Sequence, residues 1–213
     1  MTIKLNGSTA GSVALDAPAS TTGSADINFK LPVADGSSGQ FMKTDGSGNL
    51  AFASVATPVS PLFTSYAVIN HSVAYNQSAG TFSSGSWVTR ELNTEVFDPD
   101  NIVSISSNQF TLQAGTYYIR AQSPAYRVDQ HVIRLYNVTD SSVDGVGMAV
   151  MTSSSFASQT VSTLVARITI SGAKAFEIQH QCQTSHSTHG LGLNHGISGA
   201  NSIYTIVEIY KES

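Results

Sequence analysis

The chain has 213 residues, a formal net charge of −4, and only 11% Asp, Glu, Lys and Arg. Low net charge with 41% hydrophobic residues excludes a disordered chain, and ten scattered Lys and Arg exclude a basic nucleic-acid surface. The lone Cys182 excludes an intrachain disulfide, and no stretch reaches the roughly 18 apolar residues of a membrane span, so neither nucleic acid nor membrane insertion is expected.

Met1-Thr-Ile-Lys-Leu-Asn-Gly-Ser lacks the apolar core of a signal peptide, which predicts synthesis in a cytosol without export by the usual route. The Asn-Val-Thr at Asn137 then reads as a chance sequon. Ile3 and Leu5 alternate before Asn6-Gly7, and Val13 and Leu15 alternate after Gly11, predicting a hairpin. Ile27, Phe29 and Leu31 predict a third strand that stops at Pro32. Asp45-Gly46 supplies positive-φ turn chemistry for a second hairpin over Gln40–Phe52. So few apolar side chains cannot bury a core in one copy, so residues 1–57 are expected to share one among three copies.

The string Ala34-Asp-Gly-Ser-Ser-Gly-Gln40-Phe-Met-Lys-Thr-Asp45-Gly-Ser-Gly-Asn-Leu50-Ala-Phe resembles a segment that recurs in tail-fibre proteins of tailed bacteriophages. Lys4 to Pro18 is similar in style. The resemblance covers the first quarter of the chain. It implies an attachment and shaft segment, residues 1–57, that grips other virion proteins. Pro58-Val-Ser-Pro61 predicts an extended, semi-rigid connector over 58–61.

Residues 62–213 carry ten strand signals at the spacing of an all-β sandwich and no helical period. They fall near 62–70, 86–92, 102–106, 109–113, 116–123, 131–138, 146–151, 160–170, 174–182 and 202–210. Phe176, Ile178, His180 and Cys182 share one face of their strand, opposite Glu177, Gln179 and Gln181. In the last strand, Ile203, Thr205, Val207 and Ile209 form one face. Tyr204, Ile206, Glu208 and Tyr210 form another that is also largely apolar, so both faces need cover.

Asn93, Phe110, Gly115, Tyr117 and Ile119, with the C-terminal Ile203–Tyr210 strand, resemble the globular head of complement-type and tumour-necrosis-factor-like trimers. This resemblance covers the last two-thirds of the chain. It implies a jelly-roll knob over 62–213 and a homotrimer whose last strand lies near the threefold axis. Tyr204, Ile206 and Tyr210 are the trimer contacts it implies. The family's usual Phe-Ser-Gly near that strand is replaced here by Ser202-Ile-Tyr-Thr-Ile, so no shared ligand is implied.

Four of six histidines crowd into His180–His195, and imidazole and thiolate are good metal ligands. His180 and Cys182 share the Phe176 face, however, and read as core or interface residues rather than ligands. Asp98-Pro-Asp100-Asn101 reads as a turn capped by its own acids rather than a calcium site. No metal and no cofactor is therefore expected. No Gly-x-Ser-x-Gly, His-Glu-x-x-His or phosphate-loop motif occurs, which predicts a protein that is not an enzyme.

Candidate recognition loops are Tyr75–Trp87, Tyr126–His131, Thr139–Val143, Thr152–Gln159 and Thr184–Gly199. Tyr126, Arg127, Asp129, His186, His189, Asn194 and His195 carry the aromatic, charged, amide and imidazole groups that suit saccharide hydroxyls and apolar sugar faces. The expected protein is an all-β homotrimeric virion fibre. It has a β-hairpin shaft and a ten-stranded jelly-roll knob that adsorbs to a host surface glycan or protein. The alternative is a capsid- or tail-decorating trimer that binds no host molecule.

Overall fold

The computed structural model describes residues 3–6, 9–15, 18–55 and 61–213, with backbone alone at 13–15. The chain forms two compact units, Met1–Val59 and Ser60–Ser213. The expected connector falls largely outside the described residues, with only Pro61 inside them.

The first unit holds two antiparallel hairpins. Strand β1 (Ile3–Asn6) pairs with β2 (Ser12–Leu15), and β3 (Gln40–Thr44) pairs with β4 (Leu50–Ser54). The second turn is fastened by Asp45, whose Oδ1 accepts from the Ser47 and Asn49 amides while Asn49 Nδ2 donates to Oδ2. Gly46 and Gly48 hold the φ values of 84° and 90° that this turn needs. The strand expected at Ile27–Leu31 is absent. Only Lys30 bridges to Asn49, because no neighbouring strand extends a ladder to the flanking residues. No described side chain of this unit is buried, and Phe29 and Leu31 are 63% and 74% exposed.

The second unit is built from twelve strands. They are β5 (Phe63–Val73), β6 (Val88–Thr89), β7 (Thr94–Phe97), β8 (Val103–Ser106), β9 (Gln109–Leu112), β10 (Gly115–Tyr126), β11 (Gln130–Asn137), β12 (Ser142–Val146), β13 (Val150–Met151), β14 (Gln159–Ile170), β15 (Lys174–Cys182) and β16 (Ser202–Glu212). One sheet runs β14-β10-β16-β5-β7 and the other β12-β11-β15-β9-β8, with β13 on β11 and β6 on β15. All pairings are antiparallel, and the chain crosses repeatedly from one sheet to the other. The first strand of the unit pairs with the last. That order is a jelly roll. Strand β7 was not expected, and of the strand expected at 146–151 only Val146, the last residue of β12, and Val150–Met151 of β13 are in strands, while the rest of β12 lies before it. Among the described residues, the helical content of the whole chain is one 3₁₀ turn, Thr22–Ser24, in the first unit.

Inward side chains of both sheets form one core. Ala67, Ile69, Tyr117, Ile119, Val207 and Ile209 from the first sheet meet Phe110, Leu112, Ile133, Leu135, Phe176 and Ile178 from the second. Phe110 and Phe176 stack with ring centroids 5.7 Å apart. The residues that carry the complement-like resemblance are fold-keepers. Phe110, Tyr117 and Ile119 are wholly buried, and Tyr117 Oη donates to the Gln113 carbonyl. Asn93 joins its loop to β5 by accepting from the Ser72 amide and donating to the Ser72 carbonyl, both at 2.9 Å. A Cβ at Gly115 would press on Lys211 and on the Tyr117 ring at 3.1–3.2 Å.

Registers define the two ends. Phe63 pairs with Glu212 and Gly115 with Ile170 at the end where the chain enters and leaves the unit. Val73 pairs with Ser202, Tyr126 with Gln159 and His131 with Cys182 at the other, which carries the long loops.

Candidate functional site

Four of the five expected recognition loops gather at the loop end, while Thr139–Val143 turns at the opposite end after β11. Three of the expected residues meet there. The Tyr126 ring stands edge-on to His186 at 5.4 Å and to His189 at 6.5 Å, and the two imidazoles lie 6.0 Å apart. Gly190 lets this loop close, because a Cβ there would stand 2.5 Å from the Phe82 Cβ. His186 Nδ1 accepts from the His189 amide at 3.2 Å, so this imidazole also fixes its own turn. Burial, then the nearby Arg127 and His189, holds the His186 pKa below its ordinary value.

Arg127 and Asp129 have loop-fixing roles. Arg127 Nη2 donates to the Ser154 carbonyl at 2.9 Å, and Asp129 accepts from the Ser154 amide and from Thr184 Oγ1. Those bonds lower the Asp129 pKa, the Thr184 bond most. They also hold out Phe156, 75% exposed at the tip of its loop. Asn194 and His195 form a separate pair of contacts: Asn194 Nδ2 donates to Asn76 Oδ1, and the His195 ring lies 6.4 Å from Tyr75. Beside this end, a shallow depression of about 240 Å³ is lined by Gln130, Val132, Ala149, Gln181 and Gln183. That is smaller than a usual small-molecule pocket, and its amides offer donors and acceptors for a single ring.

Beneath the loops the core changes character. Inward positions run Tyr117, Ile119, Ala121, Ser123 along β10 and Ile168, Ala166, Leu164, Ser162 along β14. Val207 gives way to Thr205, Ile69 to His71, and Ile133 to His131. The result is a buried polar layer. His131 Nδ1 lies 2.9 Å from His180 Nε2, and His131 Nε2 lies 2.9 Å from Thr160 Oγ1. Arg90, only 1% exposed, donates from Nε to Thr205 Oγ1 at 2.9 Å and from Nη2 to the Leu191 carbonyl at 2.8 Å. Burial, then the Arg90 charge, pushes the His131 pKa down to about 4; the same causes in the same order hold His180 well below 6.5. The core placement expected for His180 and Cys182 agrees with their 0% and 5% exposure. Arg90, His71, Ser123 and Thr205 were not singled out from sequence. Their signal is polar residues at inward positions of otherwise apolar strands.

The outer face of the β10-β16-β5 sheet carries a second feature. Tyr118, Tyr210 and Tyr66 stand in one cross-strand row. Tyr210 is its hub, with ring centroids 4.6 Å from Tyr66, 5.2 Å from Phe63 and 5.9 Å from Tyr118. Phe97, half exposed, extends the patch beyond Tyr66. Of the expected trimer contacts, Tyr210 and the half-buried Ile206 lie on this face. Tyr204 does not. A bulge between Ile203 and Ile206 turns its ring inward, where it is 5% exposed, packs at a tilt against His71 and donates to the Gln77 carbonyl. Its own chain encloses it.

Among the described residues, no three His, Cys, Asp or Glu side chains gather as a metal site would require. The Asp98 carboxylate is occupied by the Ile102 and Val103 amides, as a self-capped turn should be.

No family model and no curated protein matches the sequence. Among solved structures, the globular domain of a zebrafish complement 1qA protein aligns with 69% of this chain and 96% of its own, at 12% identity and a TM-score of 0.40. Murine APRIL aligns with 69% of this chain and 98% of its own, at 6% identity and a TM-score of 0.43. The jelly-roll assignment rests on strand order and not on these likenesses.

Proposed function

We propose that the chain is a homotrimeric bacteriophage fibre protein. Residues 1–57 form its attachment and shaft segment, and residues 62–213 form a knob that adsorbs to a saccharide or protein on the host surface. The observation that carries this reading is the aromatic face around Tyr210. Monomeric domains seldom gather so many half-buried and exposed rings on the outer face of one sheet. A second apolar patch at the β12–β13 edge, with Val146, Met148 and Met151 each more than 60% exposed, differs in shape and composition. Two unlike patches on one domain favour head-to-tail contact, which closes into a ring when the rotation allows.

The first unit supports the same stoichiometry. With no buried side chain among its described residues, one copy has no core, and neighbouring copies are the covering surface at hand. The virion assignment rests on the tail-fibre resemblance of residues 4–18 and 34–52. Adsorption is non-catalytic in this reading: weak sites repeated three times per knob give avidity. The loop-end cluster of Tyr126, His186 and His189 is the contact surface.

The test is binding of labelled full-length protein to candidate host cells, with soluble surface glycan as competitor and light scattering of the same sample. Three-chain mass with competed binding supports the reading. Three-chain mass with no cell binding, but attachment to fibreless virions, favours a decorating trimer. A monodisperse monomer overturns it.

A further inference from the structure

The outer face of the β11-β15 pair carries an open, uncharged hollow. Gln130 and Val132 of β11 point outward, as do Gln181 of β15 and Gln183 just past it, because His131, Ile133, His180 and Cys182 take the buried positions between them. Pairing sets these outward residues side by side: Val132 lies opposite Gln181, and the Gln183 amide donates to the Gln130 carbonyl at 2.8 Å. With Ala149, just before β13, they line the depression of about 240 Å³.

The lining defines what fits. No Asp, Glu, Lys or Arg contributes to it, and among the described residues none of the three glutamine side chains bonds to another group of the protein. Each free amide offers one carbonyl acceptor and two N–H donors, so three of them round one hollow can engage several hydroxyls at once. Hydroxyls that displace water from these amides replace its hydrogen bonds in kind. Val132 and Ala149 add apolar surface among the amides.

The neighbouring cation is already engaged. Arg134, two residues along β11, lies 4.0 Å over the Trp87 ring, and its Nε donates to Gln179 Oε1 at 2.7 Å. Gln179 Nε2 donates in turn to the carboxylate of Glu177, which is 8% exposed. This chain makes Arg134 a prop for the indole and leaves the depression to an uncharged ligand.

We propose that the depression binds one neutral hexopyranose unit of a surface glycan, at a site separate from Tyr126, His186 and His189. The inference rests on the saccharide reading given above. The glutamine amides bond the sugar hydroxyls, and Val132 and Ala149 pack on its C–H face. The strands fix all three glutamines in advance of binding, as loop residues are not fixed. One ring held on an open face binds weakly, and the three copies of a trimer supply the avidity.

The test uses the assembled full chain, because Ala149 borders the apolar β12–β13 patch. Trp87 is the only tryptophan and lies on the same face, so its fluorescence reports binding there. The methyl glycosides of glucose, galactose, mannose and N-acetylglucosamine are titrated, and crystals are soaked in each. At least one should change the fluorescence saturably and appear in the depression in contact with the glutamines. Combined Gln130→Ala, Gln181→Ala and Gln183→Ala should weaken it at least tenfold, while Tyr126→Ser leaves it unchanged. No binding by any of the four, or a soaked sugar found only at Tyr126 and His186, overturns the inference. These two wild-type measurements do not depend on the variants folding. Cell binding competed by glycan but indifferent to the glutamine substitutions overturns this site and keeps the adsorption reading. A methyl glycoside in the depression without any cell binding keeps the site and overturns that reading.

Discussion

His131 and His180 face each other in the interior, Nδ1 to Nε2 at 2.9 Å, with Thr160 Oγ1 bonded to His131 and the Arg90 charge acting on both rings. Both are held neutral, first by burial and then by the Arg90 guanidinium beside which each added proton would sit. The unfolded chain takes up these protons near pH 6.5, whereas folded His131 does so only near pH 4. The unfolded state therefore binds more protons in that window, and stability falls as pH falls. The expected slope is at most about 1.4 kcal/mol per pH unit for each histidine. Carboxylates such as Asp129 and Glu212 have depressed pKa values and add their losses as pH falls through their ordinary values, 3.8 and 4.5, and below. Calorimetric melting should thus be flat between about pH 7 and 8, below the range in which Arg90 and Cys182 titrate, and decline between pH 6.5 and 4.5. A flat profile through that interval would remove the buried-neutral account.

The aromatic hub makes a prediction about assembly. Tyr210→Asp puts a charge among Phe63, Tyr66 and Tyr118. Association should weaken by at least about 2 kcal/mol per contact, roughly thirtyfold, and light scattering should show single chains where the wild type shows three. Ile209→Ala in the adjoining core would lower stability without that loss of mass.

Phe110 of β9 and Phe176 of the central strand β15 pair across the second sheet, and their rings stack in the core. Truncating Phe110 to Ala should cost about 3–5 kcal/mol, from lost burial and the cavity left behind. Urea denaturation of the knob should report this as a lower midpoint with an unchanged slope.

For adsorption, Tyr126→Ser should reduce host-cell binding by tenfold or more while leaving the melting temperature within a few degrees. The ring is half-buried and packs on two loop imidazoles, not on the core. Asp129→Asn should behave in the opposite way first. It weakens the bonds to Ser154 and Thr184 that order the loops, so a lowered melting temperature accompanies any change in binding.

Much of the knob was legible because strand alternation is a local property. His180 and Cys182 share a period of two with Phe176 and Ile178, and that alone predicts burial. Asp98 could be read as a self-capping turn because its partners lie four and five residues away. Ile27–Leu31 shows where the method stops: alternation marks a segment able to join a sheet, and only a partner with free backbone groups makes it a strand. Tyr204 shows the same limit, since one bulge reversed the face on which its ring lies.

The sequence by itself determined an all-β chain, two units of unequal apolar content, and a sandwich of many short strands in the longer one, the jelly roll being only what the family resemblance implied until the strand order showed it. Those follow from side-chain periodicity, turn chemistry and composition, which act over a few residues. Tertiary structure alone decided that Tyr66, Tyr118 and Tyr210 form one row, and that Arg90 meets Thr205 across 115 positions. It also decided that Tyr126 meets His186 and His189. Each of these depends on the register between strands distant in the chain, and register is set by the packing of the whole sandwich.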